Sequence, residues 1–534
     1  MQQRLPPGCL PRPDLLPGLV FTIPELQFPA QLNACRELLD RNLTENGGGR
    51  PAVFFRDRVI SFQELSESVE NLAAALLDLG LVPGDRVLLR FQNGPEFVIS
   101  WLAVLRVGGI VVATMPLLRA RELGGIVADS APSFFLTQEE LWEEAAKVLA
   151  GNPDCKVILC GGPKQGTIAW EELLSRPQRC PASETAAEDL ALLAYTSGST
   201  GEPKGTIHTH RDILAIAEGY ARQVLTPASL DVFGGPPTMA FTFGLGGLLV
   251  FPFRFGAATS LMERFTPQGL IEVIRNTKMT ILFASATTYN VLLKADLPDF
   301  VESLRSLRLC VSAGETLPRA VYAAWKEKTG VEILDGIGST EMLHIFVSNR
   351  PGAVKPGATG KPVPGYQARI VDEQLRDLPT GTPGLLAVKG PTGCRYWNRP
   401  ERQKEYVRGG WNIPGDIFVQ DEDGFFVYQC RADDMIICGG YNIAGPEVEA
   451  VLLEHPSVQE CAVVASPDAT RGAIPKAFVV LRGDASPSPA LAAELQSFAK
   501  ERLAPYKYPR VVEFVSGLPK TETGKIRRVE LRGR

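Results

Sequence analysis

Residues 195–205 form a run of small, hydroxylated and glycine residues that ends in a lysine, Tyr195-Thr-Ser-Gly-Ser-Thr-Gly-Glu-Pro-Lys-Gly205. The apolar run Leu190-Ala-Leu-Leu-Ala194 precedes it and predicts a buried strand. Glycines let backbone N–H groups approach an anion closely, and the hydroxyl groups of the run add further donors. The stretch therefore predicts a phosphate-binding loop.

This loop is not of the Walker A type, because Pro203 immediately precedes Lys204 and no Gly-Lys-Ser/Thr occurs at the required spacing. A flexible Gly/Ser surface loop is the alternative for a generic run of this composition. The ordered string resembles the signature of the adenylate-forming superfamily, which includes acyl- and aryl-CoA ligases, peptide-synthetase adenylation domains and luciferases. The resemblance implies a catalytic role for Lys204, a metal contact for Thr200, and nucleotide binding by Thr196, Ser197, Gly198, Ser199, Thr200 and Gly201.

A second glycine-rich turn, Asp335-Gly-Ile-Gly-Ser-Thr-Glu341, follows the strand-like run 331–334. A carboxylate beyond such a turn can hold Mg²⁺ against phosphate oxygens, because magnesium takes few protein carboxylates and leaves its other positions to water and substrate. Alone, the stretch would favour a plain glycine turn. Beside the phosphate loop it resembles the superfamily's nucleotide motif, which implies Thr340 near the α-phosphate, Glu341 on the metal, and nucleotide binding by Asp335, Gly336, Ile337 and Gly338.

Two further segments resemble the adenosine-binding parts of the superfamily. In Ser312-Ala-Gly-Glu-Thr-Leu317, backbone groups of Gly314 and Glu315 can reach an adenine edge, and Ala313 is expected to bind the nucleotide beside them. In the other segment Asp416 follows Gly415, and its carboxylate can accept both ribose hydroxyls, as acidic residues do in other nucleotide sites. Pro414 departs from the threonine usual there, but the carboxylate is in place.

The next motif is Arg431-Ala-Asp-Asp434, followed by Gly439-Gly-Tyr441. The resemblance implies that Arg431 contacts ribose and phosphate, that Asp433 is the hinge of a rotating C-terminal domain, and that Gly439, Gly440 and Tyr441 line the tunnel for the pantetheine arm of coenzyme A. Cys430 stands where glycine is common, and Ala444-Gly445 replaces the usual Ser-Pro. These departures touch details and not the groups that do chemistry.

The last motif, Pro519-Lys-Thr-Glu-Thr-Gly-Lys525-Ile-Arg-Arg528, resembles the catalytic lysine segment of the superfamily. A carboxylate that attacks ATP brings two anions together, and a positioned ammonium group offsets their repulsion by roughly 4 kcal/mol at an effective dielectric constant near 20. Lys525 is the catalytic candidate, and Lys520 is expected to be an ordinary solvated lysine.

The acid-binding pocket of the superfamily lies between the phosphate loop and the second glycine turn. The residues expected there are Phe241, Thr242, Phe243, Tyr289, His344 and Ile345. Aromatic and small residues together favour a flat pocket, although a phenylalanine stripe is more often protein core. The run 336–346, with 351–354 and 362–365, resembles benzoate-CoA and 2-aminobenzoate-CoA ligases, which favours an aromatic acid.

Together these motifs predict an AMP-forming carboxylate–CoA ligase that uses ATP, Mg²⁺ and coenzyme A. An acyl-adenylate forms first, and the thiol of coenzyme A then displaces AMP, so no nucleophilic side chain is needed. The alternatives are an adenylating enzyme that loads a carrier protein, a synthetase for fatty or other acids, and a silent acyl-adenylate-binding protein. Retention of Glu341, Asp416 and Lys525 counts against the silent protein.

Length and element order predict an α/β protein of more than one domain, because 534 residues exceed one ordinary core. Apolar strand candidates alternate with helical segments up to residue 194, which favours parallel βαβ layers. We expect a large N-terminal domain with several subdomains of parallel and mixed sheets, residues 1–432. A small, mobile α+β domain is expected at residues 433–534.

Composition excludes several other classes. A net charge of −5 provides no basic field for nucleic acid. Ten cysteines without a CxxC pair and four histidines argue against a zinc cluster or a disulfide framework. The apolar stretches contain glycine or proline and are too short for a membrane span of about 20 residues, and prolines interrupt the N-terminal apolar residues. We expect a cytoplasmic enzyme that is a monomer or a homodimer.

Overall fold

The structure is a computed structural model that describes residues 3–197, 203–438, 441–468, 472–483, 485–503, 507–520 and 525–532. The chain forms two compact units, of which the first takes in residues up to 368 together with 388–412. The second takes in residues 369–387 and those from 413 onward. The predicted division between residues 432 and 433 falls inside the second unit and stays a prediction.

The strands of residues 51–362 are β1 (Pro51–Phe55), β2 (Arg58–Ser61), β3 (Arg86–Arg90), β4 (Ile110–Ala113), β5 (Phe134–Gln138), β6 (Lys156–Cys160), β7 (Ile168–Ala169), β8 (Leu190–Ser197), β9 (Pro203–Thr209), β10 (Val232–Gly234), β11 (Ala258–Leu261), β12 (Ile281–Ala284), β13 (Leu309–Ala313), β14 (Ile333–Gly338), β15 (Ile345–Ser348) and β16 (Lys361–Pro362). Those of residues 367–514 are β17 (Gln367–Val371), β18 (Gly384–Lys389), β19 (Val407–Arg408), β20 (Trp411–Asn412), β21 (Asp416–Gln420), β22 (Phe426–Arg431), β23 (Met435–Cys438), β24 (Tyr441–Ala444), β25 (Val458–Asp468), β26 (Gly472–Leu481) and β27 (Val511–Phe514).

The α-helices are α1 (Phe62–Asp78), α2 (Pro95–Arg106), α3 (Ala120–Ser130), α4 (Trp142–Leu149), α5 (Trp170–Leu174), α6 (His210–Ile216), α7 (Thr242–Leu245), α8 (Phe251–Arg254), α9 (Pro267–Thr277), α10 (Ala286–Lys294), α11 (Phe300–Ser303), α12 (Arg319–Thr329), α13 (Pro400–Tyr406), α14 (Gly445–Leu452) and α15 (Pro489–Arg502). Segments in π-helical conformation are Arg36–Asp40, Leu43–Gly47, Ala217–Leu225 and Gly246–Val250, and the short 3₁₀ turns are Pro13–Leu15, Pro24–Leu26, Glu139–Leu141, Ala432–Asp434 and Arg528–Glu530.

Two large sheets carry the first unit. One has the order β16-β15-β14-β13-β12-β10-β11-β1-β2 and is parallel from β14 to β1, with antiparallel pairs at both ends. The other has the order β7-β6-β5-β3-β4-β8-β9 and is parallel up to β8. Strands such as β4 are buried along their whole length, as parallel strands covered on both faces must be.

The second unit contains a smaller sheet of order β24-β23-β26-β25, with β27 parallel to β26. Helices α14 and α15 bury apolar side chains on it, including Val448, Leu452 and Leu495. The long pair of β25 and β26 runs antiparallel from Val458↔Leu481 to Asp468↔Gly472. The predicted α/β class, with parallel and mixed sheets in a large part and an α+β arrangement in a small part, is confirmed.

No helix in the described ranges combines the length and the apolar character that crossing a lipid bilayer requires.

Candidate active site

The predicted phosphate loop connects the two strands of a β-hairpin. Strands β8 and β9 pair antiparallel, with Thr196 opposite Lys204 and Tyr195 opposite Gly205. The tip of this hairpin lies outside the described residues. The predicted roles of Gly198, Ser199, Thr200 and Gly201 therefore stay predictions, while Thr196, Ser197 and Lys204 lie where the two strands meet the tip.

A buried tyrosine holds the hairpin close to its tip. The Tyr195 hydroxyl donates to Asp129 Oδ2 at 2.7 Å, and Arg399 Nη1 binds the other oxygen of Asp129 at 2.9 Å. A Cβ atom on Gly205 would lie 2.8 Å from Leu193 Cδ1 and 3.0 Å from Cζ of the Tyr195 ring. Glycine at position 205 is therefore required for Tyr195 to lie across β9.

Residues 395–397 extend the sheet on the other edge of β9. The N–H of Ile207 donates to the carbonyl of Arg395, and the N–H of Trp397 donates to the carbonyl of Gly205, both at 2.8 Å. Thr206 and Tyr396 form an antiparallel bridge between these two contacts. Strand β9 therefore connects β8 with a segment almost two hundred residues further along the chain.

The segment 312–317, predicted to bind adenosine, and the predicted nucleotide turn 335–341 begin on the neighbouring strands β13 and β14. These strands are parallel, with Ser312 opposite Asp335 and Ala313 opposite Gly336. Gly314 follows β13 at φ +89°, a left-handed conformation that favours glycine. The Glu315 carboxylate accepts a 2.6 Å hydrogen bond from the N–H of Thr287 in the first turn of α10.

Asp335 is buried, and its Oδ1 atom has no hydrogen-bond partner among the described residues. Burial raises the pKa of this carboxyl well above its ordinary value. Because buried polar atoms are normally paired, an unpaired carboxyl oxygen on β14 fits a ligand that hydrogen bonds there.

The turn that carries Thr340 and Glu341 is held from inside the first unit. Nε2 of His208 lies 2.8 Å from the carbonyl oxygen of Thr340, and the Tyr396 hydroxyl donates to Glu341 Oε1 at 2.7 Å. The turn closes through Leu343 N–H on the Thr340 carbonyl at 3.1 Å. Leu343 itself is buried at φ +70°, a conformation that costs roughly 1–2 kcal/mol for a residue with a side chain.

Sequence reasoning missed both His208 and Tyr396. His208 is fully buried, and burial lowers its pKa to about 4, so the ring is neutral and must carry its proton on Nε2 to donate to a carbonyl. Burial, and secondarily the nearby Glu341 charge, raise the pKa of Tyr396, which keeps its hydroxyl a donor. The sequence shows a polar residue at an inward-facing position next to a motif in both cases. It does not show which residue this side chain would contact.

An aromatic cluster surrounds His344, three residues after Glu341. The His344 ring centroid lies 4.6 Å from that of Phe251, 5.4 Å from Tyr220 and 5.9 Å from Phe243. A Cβ atom on Gly246 would lie 2.3 Å from the His344 ring, so a glycine is needed to leave the ring its place. Of the other predicted acid-binding residues, Phe241 caps the short helix α7, Thr242 begins it, and Ile345 is buried at the start of β15.

His344 brings unpaired polar atoms into this cluster. The residue is 2% exposed, and neither ring nitrogen forms a hydrogen bond of good geometry among the described residues, although the backbone of Phe243 interacts with the ring. Burial lowers the pKa of His344 to about 3, so the ring is neutral. One N–H donor and one acceptor nitrogen are therefore available inside an otherwise aromatic environment.

Tyr289 does not join the other acid-binding candidates. Its hydroxyl lies 2.9 Å from the carbonyl oxygen of Val311 and 3.2 Å from that of Leu282. Its ring packs edge-on against Trp325 at 4.9 Å, within the apolar core that α10 and α12 form with the sheet. The structure therefore gives Tyr289 a packing role, because its one hydroxyl is already used by the sheet.

In the second unit, the structure brings together two residues predicted to bind the nucleotide. Asp416 and Arg431 are paired across β21 and β22, and Arg431 Nη1 lies 3.0 Å from Asp416 Oδ1. Asp416 is 6% exposed, whereas the Arg431 side chain is half exposed. Asp433 lies in the 3₁₀ turn between β22 and β23.

The lysine segment is held on both sides of Lys525. Lys520 forms an ion pair with Glu460 at 2.8 Å and bridges to Ile526. Arg528 makes bidentate contacts of 2.7 and 2.9 Å with the buried Glu449. Lys525 is exposed between these anchors. Of the predicted coenzyme A residues, Gly439 and Gly440 lie outside the described residues, and Tyr441 begins β24 opposite Cys438.

The residues present fit a magnesium ion. Across the described ranges, no group of three or more histidine, cysteine, aspartate or glutamate side chains could hold a metal by itself. Glu341 offers one carboxylate, of which Oε1 is fixed by Tyr396. Magnesium that is held mainly by nucleotide phosphates and water needs few protein carboxylates, so this donor set suits a metal–nucleotide complex.

Comparison with known proteins identifies the class. Residues 39–397 match the model for the AMP-binding enzyme family, and residues 447–525 match that for the AMP-binding enzyme C-terminal domain. The chain belongs to the AMP-binding enzyme family, as the sequence motifs predicted.

Individual relatives resemble the chain over almost its whole length. It is 39% identical to a benzoate–CoA ligase of Thauera aromatica, over 96% of this chain and 98% of the relative. A crystal structure of an anthranilate CoA ligase in complex with anthranoyl-AMP superimposes with a TM-score of 0.90 at 36% identity, covering 96% of this chain and 98% of that one. A benzoate CoA ligase from Burkholderia xenovorans LB400 gives a TM-score of 0.86 at 36% identity, covering 94% and 99%.

The buried histidines predict an acid-sensitive fold. Burial lowers the pKa values of His208, His210 and His344 from 6.5 to about 4, 3 and 3. The unfolded state therefore binds more protons between these values and 6.5, so their stabilising contribution is complete above this window and is lost as the pH falls through it. We expect each histidine to lower the free energy of unfolding by about 2 kcal/mol between about pH 7.5 and about pH 5.

Urea unfolding at both pH values tests this expectation. In His210→Asn, one amide replaces the ring, and the amide oxygen can still accept the N–H of Ala34, as Nδ1 does at 3.1 Å. The free energy of unfolding should decrease less between the two pH values in this variant than in the wild type, by roughly 2 kcal/mol, the contribution of one histidine. An unchanged difference would contradict the assignment of His210 as a buried neutral group.

Proposed function

We propose that this protein is an AMP-forming ligase that activates an aromatic carboxylate of the benzoate or 2-aminobenzoate type with ATP and transfers the acyl group to coenzyme A. The observation that carries the proposal is the position of the aromatic cluster around His344, three residues after the carboxylate of Glu341. A cluster of aromatic side chains beside a carboxylate that could bind a metal suits an acid with a flat ring whose carboxylate meets a metal–nucleotide complex. The names of the relatives support the same substrate class.

The nucleotide would be held by groups of several motifs. Backbone groups of 313–315 and 336–338, with the unpaired Oδ1 atom of Asp335, suit the adenine, because that atom needs a partner. Asp416 would accept the ribose hydroxyls, with Arg431 beside it. The hairpin tip, including Thr200, would contact the phosphates, and Glu341 would ligate Mg²⁺. The metal would offset phosphate charge during attack.

The acid would lie against Phe243 and His344, with Phe241, Thr242 and Ile345 nearby. Burial of the ring among aromatic side chains supplies affinity that does not depend on charge. The unpaired nitrogens of His344 would supply a donor and an acceptor to polar groups of the bound acid. Since the histidine is neutral, it adds no positive charge that would hold the carboxylate away from the nucleotide.

The reaction would proceed in two steps. An oxygen of the carboxylate attacks the α-phosphate, the bond from this phosphorus to the bridging oxygen breaks, and pyrophosphate leaves. The sulfur of coenzyme A, having lost its proton, then attacks the acyl carbon, and AMP leaves with both electrons of the broken bond. Lys525, Lys204 and Thr340 would stabilise the charge of the first step.

A panel of acids tests the substrate class. Each acid is supplied with ATP, Mg²⁺ and coenzyme A, and both AMP release and thioester formation are measured. We expect benzoate and 2-aminobenzoate to give kcat/KM values well above those of medium-chain fatty acids, because a flat pocket excludes a flexible chain. A higher value for the fatty acids would contradict the aromatic assignment. AMP release with thioester formed only on a carrier protein would contradict coenzyme A as acceptor.

Lys525→Ala is expected to separate the two steps. The ammonium group acts where the carboxylate meets ATP, so its loss should slow adenylate formation by on the order of 10²–10³. Thioester formation from supplied acyl-adenylate should remain, because AMP is already a good leaving group. Each step is measured on the purified variant. Lys520→Ala is the matched control, because it removes a lysine of the same segment that is paired with Glu460. Full-speed adenylation by Lys525→Ala would exclude Lys525 from the mechanism.

The hinge proposal predicts a different pattern for Asp433→Pro. Proline fixes φ near −65° and removes a backbone donor, so rotation about this residue would be restricted. We expect one step to survive and the other to fall by orders of magnitude, whereas Asp433→Ala, which keeps backbone freedom, should affect the two steps alike. Both steps are measured separately on each folded variant. Equal loss in both steps for Asp433→Pro would count against a hinge here.

A further inference from the structure

Strand β9 and residues 395–397 form one hydrogen-bonded frame. Two buried side chains on this frame contact the Thr340–Glu341 turn. His208 lies on β9, and Tyr396 lies on the segment that pairs with β9 through Ile207, Arg395, Gly205 and Trp397. The two donors therefore have a fixed relation to each other. One contacts the backbone of Thr340 at 2.8 Å, and the other contacts the carboxylate of Glu341 at 2.7 Å.

The frame is itself held by buried polar contacts. Arg395 pairs with the fully buried Asp212 at 3.2 Å. Asp212 also closes a capping box with Thr209 at the end of β9, accepting the Thr209 N–H at 3.0 Å. The backbone N–H of Tyr396 donates to the side-chain oxygen of the buried Gln403 at 2.8 Å. His208 and Tyr396 are 0% and 5% exposed, and close packing in a protein interior restricts changes of rotamer.

Glu341 receives one fixed contact and keeps one oxygen available. Its Oε1 accepts the Tyr396 hydroxyl, and among the described residues no other hydrogen bond to this carboxylate is formed. A neutral donor orients the carboxylate without cancelling its charge, as an arginine or lysine in the same place would do. Such outer contacts determine how well a ligating group meets its metal.

We propose that Tyr396 and His208 are positioning residues for the metal–nucleotide complex: Tyr396 orients the carboxylate of Glu341, and His208 fixes the backbone of Thr340. This inference rests on the proposed function, because it takes the metal–nucleotide complex as the ligand of the turn. Neither residue need touch the substrate. The strained turn at Leu343 makes such support necessary, because an unsupported turn would relax out of the left-handed conformation.

Tyr396→Phe removes the hydroxyl and keeps the ring. We expect it to weaken binding of a Mn²⁺ complex of a non-hydrolysable ATP analogue by about 10- to 100-fold. Binding is measured without turnover, by the relaxation of water protons on the bound metal. Binding of the same analogue without metal should stay within about twofold, because only the carboxylate has lost a contact.

Tyr366→Phe is the matched control. Its hydroxyl is also buried in the first unit and lies 3.0 Å from the hydroxyl of Thr392, which in turn donates to the Met342 carbonyl at 2.8 Å. The variant loses a buried hydroxyl near the turn and leaves that last hydrogen bond in place. We expect metal–nucleotide binding within about twofold of the wild-type value, and Tm values of both tyrosine variants show whether each remains folded.

His208→Gln and His208→Leu test the second contact. Glutamine can present an amide N–H at the distance of the histidine Nε2, whereas leucine of similar size cannot donate. Metal–nucleotide binding should be retained in His208→Gln and weakened about tenfold in His208→Leu. Equal binding by both variants would exclude the hydrogen bond to Thr340 as the function of this residue.

The outcomes separate this inference from the proposed function. If wild-type protein binds the metal–nucleotide complex and Tyr396→Phe binds it equally well, the positioning role is overturned and the ligase proposal stands. Equal weakening in Tyr396→Phe and Tyr366→Phe would assign the effect to packing and also overturn it. If the wild-type protein does not bind the complex, the proposed function fails, and this inference fails with it.

Discussion

The backbone pairing of β9 on both of its edges is the constraint on which the rest of the site depends. On one edge it closes the phosphate hairpin with β8, and on the other it binds residues 395–397. From this position His208 reaches Thr340, 132 residues further along the chain. Strand β9 therefore links β8 and residues 395–397 through backbone hydrogen bonds and reaches Thr340 through the His208 side chain. A shift of β9 by one residue would turn His208 away from Thr340.

The site combines burial with neutrality. His208, His344 and the Tyr396 hydroxyl are all inside the first unit, and burial keeps each in its uncharged form. Burying an isolated charge costs far more than burying a neutral group with a partner. Glu341 is partly exposed, so its carboxylate can face a cation, and the neutral groups around it supply direction without competing for that cation.

Motifs formed by neighbouring residues could be predicted from the sequence, whereas contacts between distant residues could not. The phosphate loop after its strand, the Asp335–Glu341 turn and the Lys525 segment each consist of neighbouring residues, so residue types and order were enough to predict these motifs, and the roles of their residues stay predictions. The pairing of β9 on both of its edges was not predicted. Tyr396 and His208 act through partners that the fold alone brings near. Tyr289 has the composition of a pocket residue, yet a hydroxyl aimed at two carbonyl groups and a ring on Trp325 make it core, which no local pattern distinguishes from a substrate wall.

The division of the chain into units has a consequence for biosynthesis. The first unit is interrupted after residue 368 and resumes at residue 388, and the resumed stretch contains Tyr396 and its pairing with β9. A nascent chain that emerges from the ribosome can form the phosphate hairpin early, but the edge of β9 that receives residues 395–397 stays open until that stretch has been translated. An unpaired edge of this kind can pair with other chains. The open edge of β9 is therefore exposed for the longest time if translation pauses between residues 209 and 395. During such a pause, misassembly and chaperone binding become more frequent.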